Sequence, residues 1–140
     1  MKTSVGIIPY KIENGKYYFL VGHPGGWKRE WWSYLKGGME KDENEIDTAI
    51  REFREESGVD LSEHSSRLVY LGKVKQNKNK NVVAYAIEYP NIDPEKCFSN
   101  FIEDGVTPEM DRYCWMEYDK LVPLTHQAHI QFYDKIMDIK

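Results

Sequence analysis

The chain reads as a single-domain α/β fold, and three features of the sequence predict it. Two strand-like stretches, 3–10 and 16–22, flank Glu13-Asn14-Gly15, and two more, 67–76 and 81–89, flank a polar turn. Between these pairs lies one short helix with an acidic side, and a further strand and helix close the chain. The 140 residues suffice to bury a sizeable core and are too few for two domains, so one domain over 1–140 is expected. A composition of 30% charged and 14% aromatic residues excludes the disordered class.

The first hairpin is marked by its glycine turn, and Tyr17-Tyr18-Phe19-Leu20-Val21 is so continuously apolar that the second strand should be buried on both faces. That strand is expected near the centre of the sheet. His23-Pro24-Gly25-Gly26 opens a loop that runs through Trp27, Lys28, Arg29, Glu30, Trp31 and Trp32. Trp32 is expected to plug the core edge. For Trp27 and Trp31 two readings stay open, a second plug or a wall facing a nucleotide, because an aromatic face stacks on a base while Lys28 and Arg29 meet phosphate. His23 reads as a hydrogen bonder of the loop rather than a catalyst. Gly37 and Gly38 would let the backbone approach a metal or phosphate closely.

The helix is signposted at both ends: Asp42 as cap, Glu45 three residues on as the second half of a capping box, and Gly58 as a left-handed stop. Ile46, Ala49, Ile50 and Phe53 share an apolar arc of about 100° that must pack on the core. Glu52 and Glu56 lie about 40° apart around the axis, with Glu55 beside them and Arg51 one turn before it. Such like charges near a helix C-terminus each cost a few tenths of a kcal/mol, so helix stability alone does not select them. Residues 40–56 hold eight acids against three bases, a net of −5, which leaves +1 for the rest of a chain whose total is −4. A hard divalent cation, Mg²⁺ or Mn²⁺, would turn that concentration into a site, since it takes oxygen ligands and then accepts phosphate oxygens.

The second hairpin turns at Asn77-Lys78-Asn79-Lys80-Asn81, read as a solvated basic turn able to brush a phosphate tail. Residues 90–108, with Pro90, Pro94, Gly105 and Pro108, form an irregular connection, and Arg112 to Met116 reads as a strand. Thr125 is expected to cap a last helix to about Ile139, with Ile130, Tyr133, Ile136 and Met137 inward. His126 and His129, three apart, are read as surface or substrate-loop histidines, since no third nitrogen or sulfur ligand accompanies them. Cys97 and Cys114 carry neither zinc-ligand spacing nor a disulfide framework.

Several classes are excluded or disfavoured by composition. No 18-residue apolar run and no signal-peptide pattern occur, so a cytoplasmic protein without a membrane partner is expected. The mild negative charge disfavours a general nucleic-acid binder and permits a nucleotide enzyme that carries its own metal. Oligomeric state is not legible.

Gly37, five residues, Glu43, seven residues, then Arg51-Glu52-Phe53-Arg54-Glu55-Glu56-Ser57-Gly58-Val59 resembles the Nudix box of the Nudix hydrolases at every specified position. Seven fixed positions coincide by chance on the order of once in 10⁸ to 10⁹, which rules out coincidence. Flanking matches extend the resemblance over nearly the whole chain, toward a bacterial branch similar to diadenosine tetraphosphate hydrolases. They are Gly22 to Gly26, Trp32-Ser33, Lys36-Gly37, Ser99-Asn100-Phe101, Pro108 to Arg112 followed by Trp115, and the closing helix. Leu35 departs from the proline those hydrolases carry before Lys-Gly.

The resemblance implies an α/β/α sandwich with a mixed sheet and Mg²⁺- or Mn²⁺-dependent hydrolysis of a nucleoside diphosphate linked to another group, with a small nucleotide as substrate. Glu52 and Glu56 would be metal ligands, Glu55 a further ligand or holder of metal-bound water, and Arg51 the residue that orients them. The backbone carbonyl of Lys36 would complete the ligand set, and Glu109 is the candidate for a distant glutamate acting as ligand or base. Trp27, Lys28, Arg29, Trp31, Lys36, Gly37 and Gly38 are the substrate-binding candidates. Two alternatives are an RNA 5′-end pyrophosphohydrolase, with Lys73, Lys75, Lys78 and Lys80 as its basic path, and a non-catalytic nucleotide-sensing module, which would have lost box glutamates retained here.

Overall fold

A computed structural model describes residues 1–99 and 109–139; Asn100, Phe101 and Pro108, and with them most of the second half of the 90–108 connection, lie outside the described residues. In chain order the elements are β1 (Lys2–Glu13), β2 (Lys16–Pro24), β3 (Leu35–Gly38), α1 (Glu45–Ser57), β4 (Val69–Asn77), β5 (Lys80–Glu88), β6 (Met110–Glu117), α2 (Tyr118–Leu121) and α3 (Gln127–Met137). The strands join in one sheet of order β4-β5-β1-β2-β6, with β3 also on β1. β1 and β5 run parallel, while β1 pairs antiparallel with β2 and β3, so the sheet is mixed.

β1 organises the sheet because its one edge is shared. Ser4 to Ile7 pair with β3, and Tyr10 to Glu13 pair with β2. The two partners diverge from a common strand, and the chain between them, residues 25–34, occupies the fork.

Alternate residues of each inner strand enter opposite cores. Val5, Ile7, Leu20, Leu35 and Val83 pack with Ala49 and Phe53 of α1 on one face. Ile8, Phe19, Val21, Val82 and Ala84 pack with Phe132, Tyr133 and Ile136 of α3 on the other. Each such side chain, fully buried, contributes about 1.5–3 kcal/mol, and this explains why β2 needs apolar residues on both faces. The arrangement is the three-layer α/β/α sandwich that the resemblance implied.

Three expectations are corrected. The cap of α1 is Asn44, whose Oδ1 accepts from the Asp47 amide at 2.9 Å, and Asp42 lies outside the helix at φ 65°. Asp tolerates the left-handed turn that brings the chain out of β3, and Asn caps equally well. On α1, Ala49 and Phe53 are fully buried whereas Ile46 and Ile50 are half-buried, because the inward face continues through Thr48, Glu56 and Ser57. The last helix is capped by His126, whose Nδ1 accepts from the Ala128 amide at 3.0 Å, and its buried face is His129, Phe132, Tyr133 and Ile136. Ile130 and Met137 are half-buried, since Thr125 is itself buried before the helix starts and turns the stripe.

Trp32, at 6% exposure, is the core-edge plug expected of it. Among the described residues no helix is long and apolar enough to cross a membrane.

Candidate active site

α1 lies against β1 and β3, and its packing on β3 depends on Gly37. A Cβ built there would fall 1.8 Å from Glu52 Oε2, so only glycine lets this carboxylate lie against the strand. Gly38 contributes through its backbone, its carbonyl accepting from Arg51 Nη2 at 3.0 Å.

Arg51 gathers the acids on the solvent side. Its Nε donates to Glu43 Oε2 at 2.8 Å, its Nη2 to Glu43 Oε1 at 2.9 Å, and its Nη1 to Glu55 at 3.2 Å. Glu43 also accepts from Thr48 Oγ1 at 2.6 Å and from the Glu40 amide at 3.0 Å. With these donors, Arg51 foremost, the Glu43 carboxyl is pulled down to about 2, and the Arg51 guanidinium is held more firmly protonated still, first by Glu43.

Glu52 and Glu56 are in the opposite condition. Burial, then the charge of Glu55, pushes the Glu52 carboxyl up to about 7. Glu56 is 1% exposed, and neither Oε1 nor Oε2 has a hydrogen-bond partner among the described residues. Burial raises its carboxyl well above the usual range, and Glu109, Glu52 and Glu55 add to the shift while Lys36 opposes it. A buried carboxylate without donors is costly, and helix geometry does not relieve it. The Glu56 backbone is fixed from another direction, because the Tyr113 hydroxyl donates to its carbonyl.

A pocket of about 680 Å³ opens beside Glu56. Glu56 and Glu109 line it together with Lys36 of β3, Trp27 and Trp31 of the β2–β3 loop, and His126 and His129 at the start of α3. Burial, and next the neighbouring Lys80, lowers the Lys36 ammonium to about 8. His129 is buried, its Nε2 2.7 Å from Gln76 Oε1 and its ring stacked 5.2 Å from His126. Loss of water drives its imidazole down to about 2, so it is a neutral group. Its burial corrects the surface reading of that histidine.

The aromatic wall is half-open. Trp27 is 49% exposed, and Trp31 is covered by the Arg29 guanidinium at 4.4 Å. Lys28 and Arg29 are exposed and do not line the pocket, whereas Lys36, read mainly for its carbonyl, puts its side chain on the pocket wall. Sequence reasoning missed Tyr34, Gln76 and Met110 as lining residues, and no motif marks them.

Among the described residues no three acids, imidazoles or thiols are already gathered as a cation cage. Even so, an all-oxygen set of half-buried Glu52 and buried Glu56, the latter with no donor among the described residues, matches what a hard cation of the Mg²⁺ or Mn²⁺ kind demands. The residues fit.

A mixed sheet between helices thus sets a helix bearing clustered glutamates beside a pocket. The NUDIX domain model matches residues 2–136, and the chain belongs to the Nudix hydrolase family. Over 110 residues it is 28% identical to the m7GpppN-mRNA hydrolase of Saccharomyces cerevisiae, covering 77% of this chain and 10% of that one, so the chain spans about a tenth of the length of that relative. Its fold is similar to a Caenorhabditis elegans Ap4A hydrolase solved as a binary complex, with TM-score 0.68, 18% identity and coverage of 99% of this chain and 100% of that one. It is also similar to the NUDIX domain of Shewanella oneidensis NrtR complexed with ADP ribose, with TM-score 0.69, 12% identity and coverage of 96% and 87%.

Proposed function

We propose that this protein hydrolyses a pyrophosphate linkage in a nucleoside diphosphate joined to another group, with a dinucleoside polyphosphate or a nucleoside triphosphate as the favoured substrate. The observation that carries the reading is Glu56, a buried carboxylate with no donor, grouped with Glu52 and facing a pocket with Glu109.

In this reading Glu52, Glu56 and the Lys36 carbonyl hold Mg²⁺ or Mn²⁺, with Glu55 or Glu109 supplementing them. When bound, the cation neutralises phosphoryl oxygens and makes water a better nucleophile. The chain's own residues do the rest. Arg51 holds Glu55 and Glu52 together, its Nη1 3.2 Å from one and 3.6 Å from the other, and Glu109, which lines the pocket with Glu56, would take a proton from water as a carboxylate general base. Trp27 and Trp31 offer faces for a base, and Lys36 offers a cation for phosphate oxygens. The mixed lining, tryptophans with Lys36, Gln76 and two histidines, suits a ligand with both a base and phosphates.

A second reading, hydrolysis at an RNA 5′ end, draws support from the yeast m7GpppN-mRNA hydrolase and from the lysines of β4 and β5. Lys73 is already paired with Glu45 at 3.2 Å, which weakens that path.

The test is a panel of diadenosine tetraphosphate, ATP, ADP-ribose and a 5′-triphosphorylated oligoribonucleotide, incubated with Mg²⁺ and read by mass spectrometry. Cleavage of a free nucleotide at a rate insensitive to added salt supports the first reading. Preference for the oligonucleotide, falling steeply with salt, supports the second. Turnover undiminished in excess chelator defeats both.

A further inference from the structure

A histidine outside the carboxylate cluster ties two walls of the pocket together. His23 is fully buried at the end of β2. Its Nδ1 lies 2.8 Å from Asp111 Oδ1, and its Nε2 lies 2.9 Å from the Arg29 carbonyl. Both partners are oxygens, so each ring nitrogen of the buried imidazole is engaged by a different segment of the chain.

The strand pairing shows why Asp111 is there to meet it. β2 and β6 run in register from Tyr18 and Glu117 to His23 and Arg112, then shift so that Pro24 faces Met110. Asp111 is the extra residue of that irregularity, and a bulge re-aims the side chain it carries. Where the ladder breaks, side-chain and loop bonds replace it. Asp111 Oδ2 accepts from the Gly26 amide at 3.3 Å, and the Gly25 amide donates to the Glu109 carbonyl at 2.8 Å.

Each arm of His23 leads to a different pocket wall. Through the Arg29 carbonyl it holds the residue whose guanidinium covers Trp31, in the loop that also carries Trp27. Through Asp111 it holds the start of β6, two residues from Glu109. Stability alone would be served as well by an apolar residue of similar volume, which needs no buried partners.

We propose that His23 is a positioning residue that sets the aromatic wall of the pocket and Glu109 against each other, so that base stacking and placement of the distal carboxylate form one mechanical unit. The catalytic part of this inference rests on the pyrophosphate-hydrolysis reading above; the geometric part does not.

Two substitutions separate the arms. The amide nitrogen of His23→Asn falls near the Nδ1 position and can keep Asp111, whereas that of His23→Gln falls near Nε2 and can keep the Arg29 carbonyl. Protein labelled with 5-fluorotryptophan carries four reporters, Trp27, Trp31, Trp32 and Trp115, assigned by single substitution. Without ligand or metal, His23→Asn is expected to move the Trp27 and Trp31 resonances, and His23→Gln to leave Trp31 in place; Trp115 stays constant in both. With diadenosine tetraphosphate and Mg²⁺, His23→Asn raises KM by about tenfold with kcat little changed, and His23→Gln lowers kcat by about tenfold with KM little changed. Unmoved Trp27 and Trp31 resonances in both variants overturn the proposal. So does an equal loss of kcat in both that tracks a common fall in melting temperature. If the parent protein cleaves no nucleotide, the hydrolase reading fails while the fluorine spectra still decide whether His23 sets the loop.

Discussion

Glu43 and Glu56 are the same residue type, thirteen positions apart, one just before α1 and one in its last turn, yet they sit in opposite states. Glu43 accepts from Arg51, Thr48 and the Glu40 backbone and is ionised down to strongly acidic pH. Glu56 accepts from nothing and is more deeply buried. One carboxylate is finished by the protein; the other is left for something else to finish. In an acidic segment, therefore, satisfied carboxylates report scaffold, and orphaned ones report a ligand.

The strongest way to break this contrast is Glu56→Gln. It preserves shape and removes a carboxyl whose charged form is disfavoured by burial and by Glu109, Glu52 and Glu55, with Lys36 opposing them, so the metal-free protein should melt at the same temperature or slightly higher. Turnover should still fall by orders of magnitude, each tenfold being about 1.4 kcal/mol of transition-state stabilisation. Early melting, or turnover retained at saturating Mg²⁺, would remove Glu56 from the ligand set.

Gly37→Ala tests the neighbouring acid by a steric route. The new methyl would overlap the Glu52 carboxylate, so that group must move by an ångström or more, and kcat should drop by about 100-fold. If activity is unchanged and Glu52 is seen to have stepped aside, its position is not critical.

Glu43→Gln sharpens the comparison from the scaffold side. It strips charge from the principal partner of Arg51 and should cost about 1–3 kcal/mol of stability, seen as a lower midpoint in urea. Activity should fall only as far as Arg51 and Glu55 loosen. A variant as stable as the parent would show that the Glu43–Arg51 bonds merely replace water.

The smallest effect is on pH dependence, and the two acids give opposite signs. The Glu52 and Glu56 carboxyls lie above the ordinary value of 4.5 in the fold, so the native state binds their protons more tightly than the unfolded chain does. Their contribution is present at low pH; that of Glu52 is lost as pH rises from about 4.5 through 7, and that of Glu56 is lost in the same direction. The Glu43 carboxyl lies below that value, and its contribution is present above about 4.5 and lost as pH falls toward 2. Metal-free protein should therefore unfold at lower denaturant at pH 8 than at pH 5.5, and Mg²⁺ should narrow the gap. A flat profile would mean that Glu52 and Glu56 are hydrated and ordinary.

Local signals carried much of this molecule. Hairpin turns, the left-handed stop at Gly58 and the β2 apolar run fix elements by short-range chemistry, and the box places its acids by helical periodicity. What escaped depends on tertiary choices. Asn44 outcompeted Asp42 as cap because the preceding turn needed a left-handed residue, and His129 is buried because Thr125 rotated α3. The pocket's far wall could not be read either, since Gln76, Tyr34 and Met110 come from three different strands or their edges and share no spacing.

The forked edge of β1 has a consequence for how such a chain diversifies. Because β2 and β3 leave the same strand at different points, the segment 25–34 begins and ends on fixed rungs, tied by the backbone bonds of Gly22 with Ser33, Gly25 with Glu109 and Trp32 with Leu124. Recoding confined to its exposed stretch, residues 26–30, alters the mouth of the pocket without disturbing the rungs that hold Gly37 against the box helix. The loop at the mouth and the strand that seats the box helix thus vary on separate rungs of β1, and the loop answers to Glu109 through His23 rather than through the ladder.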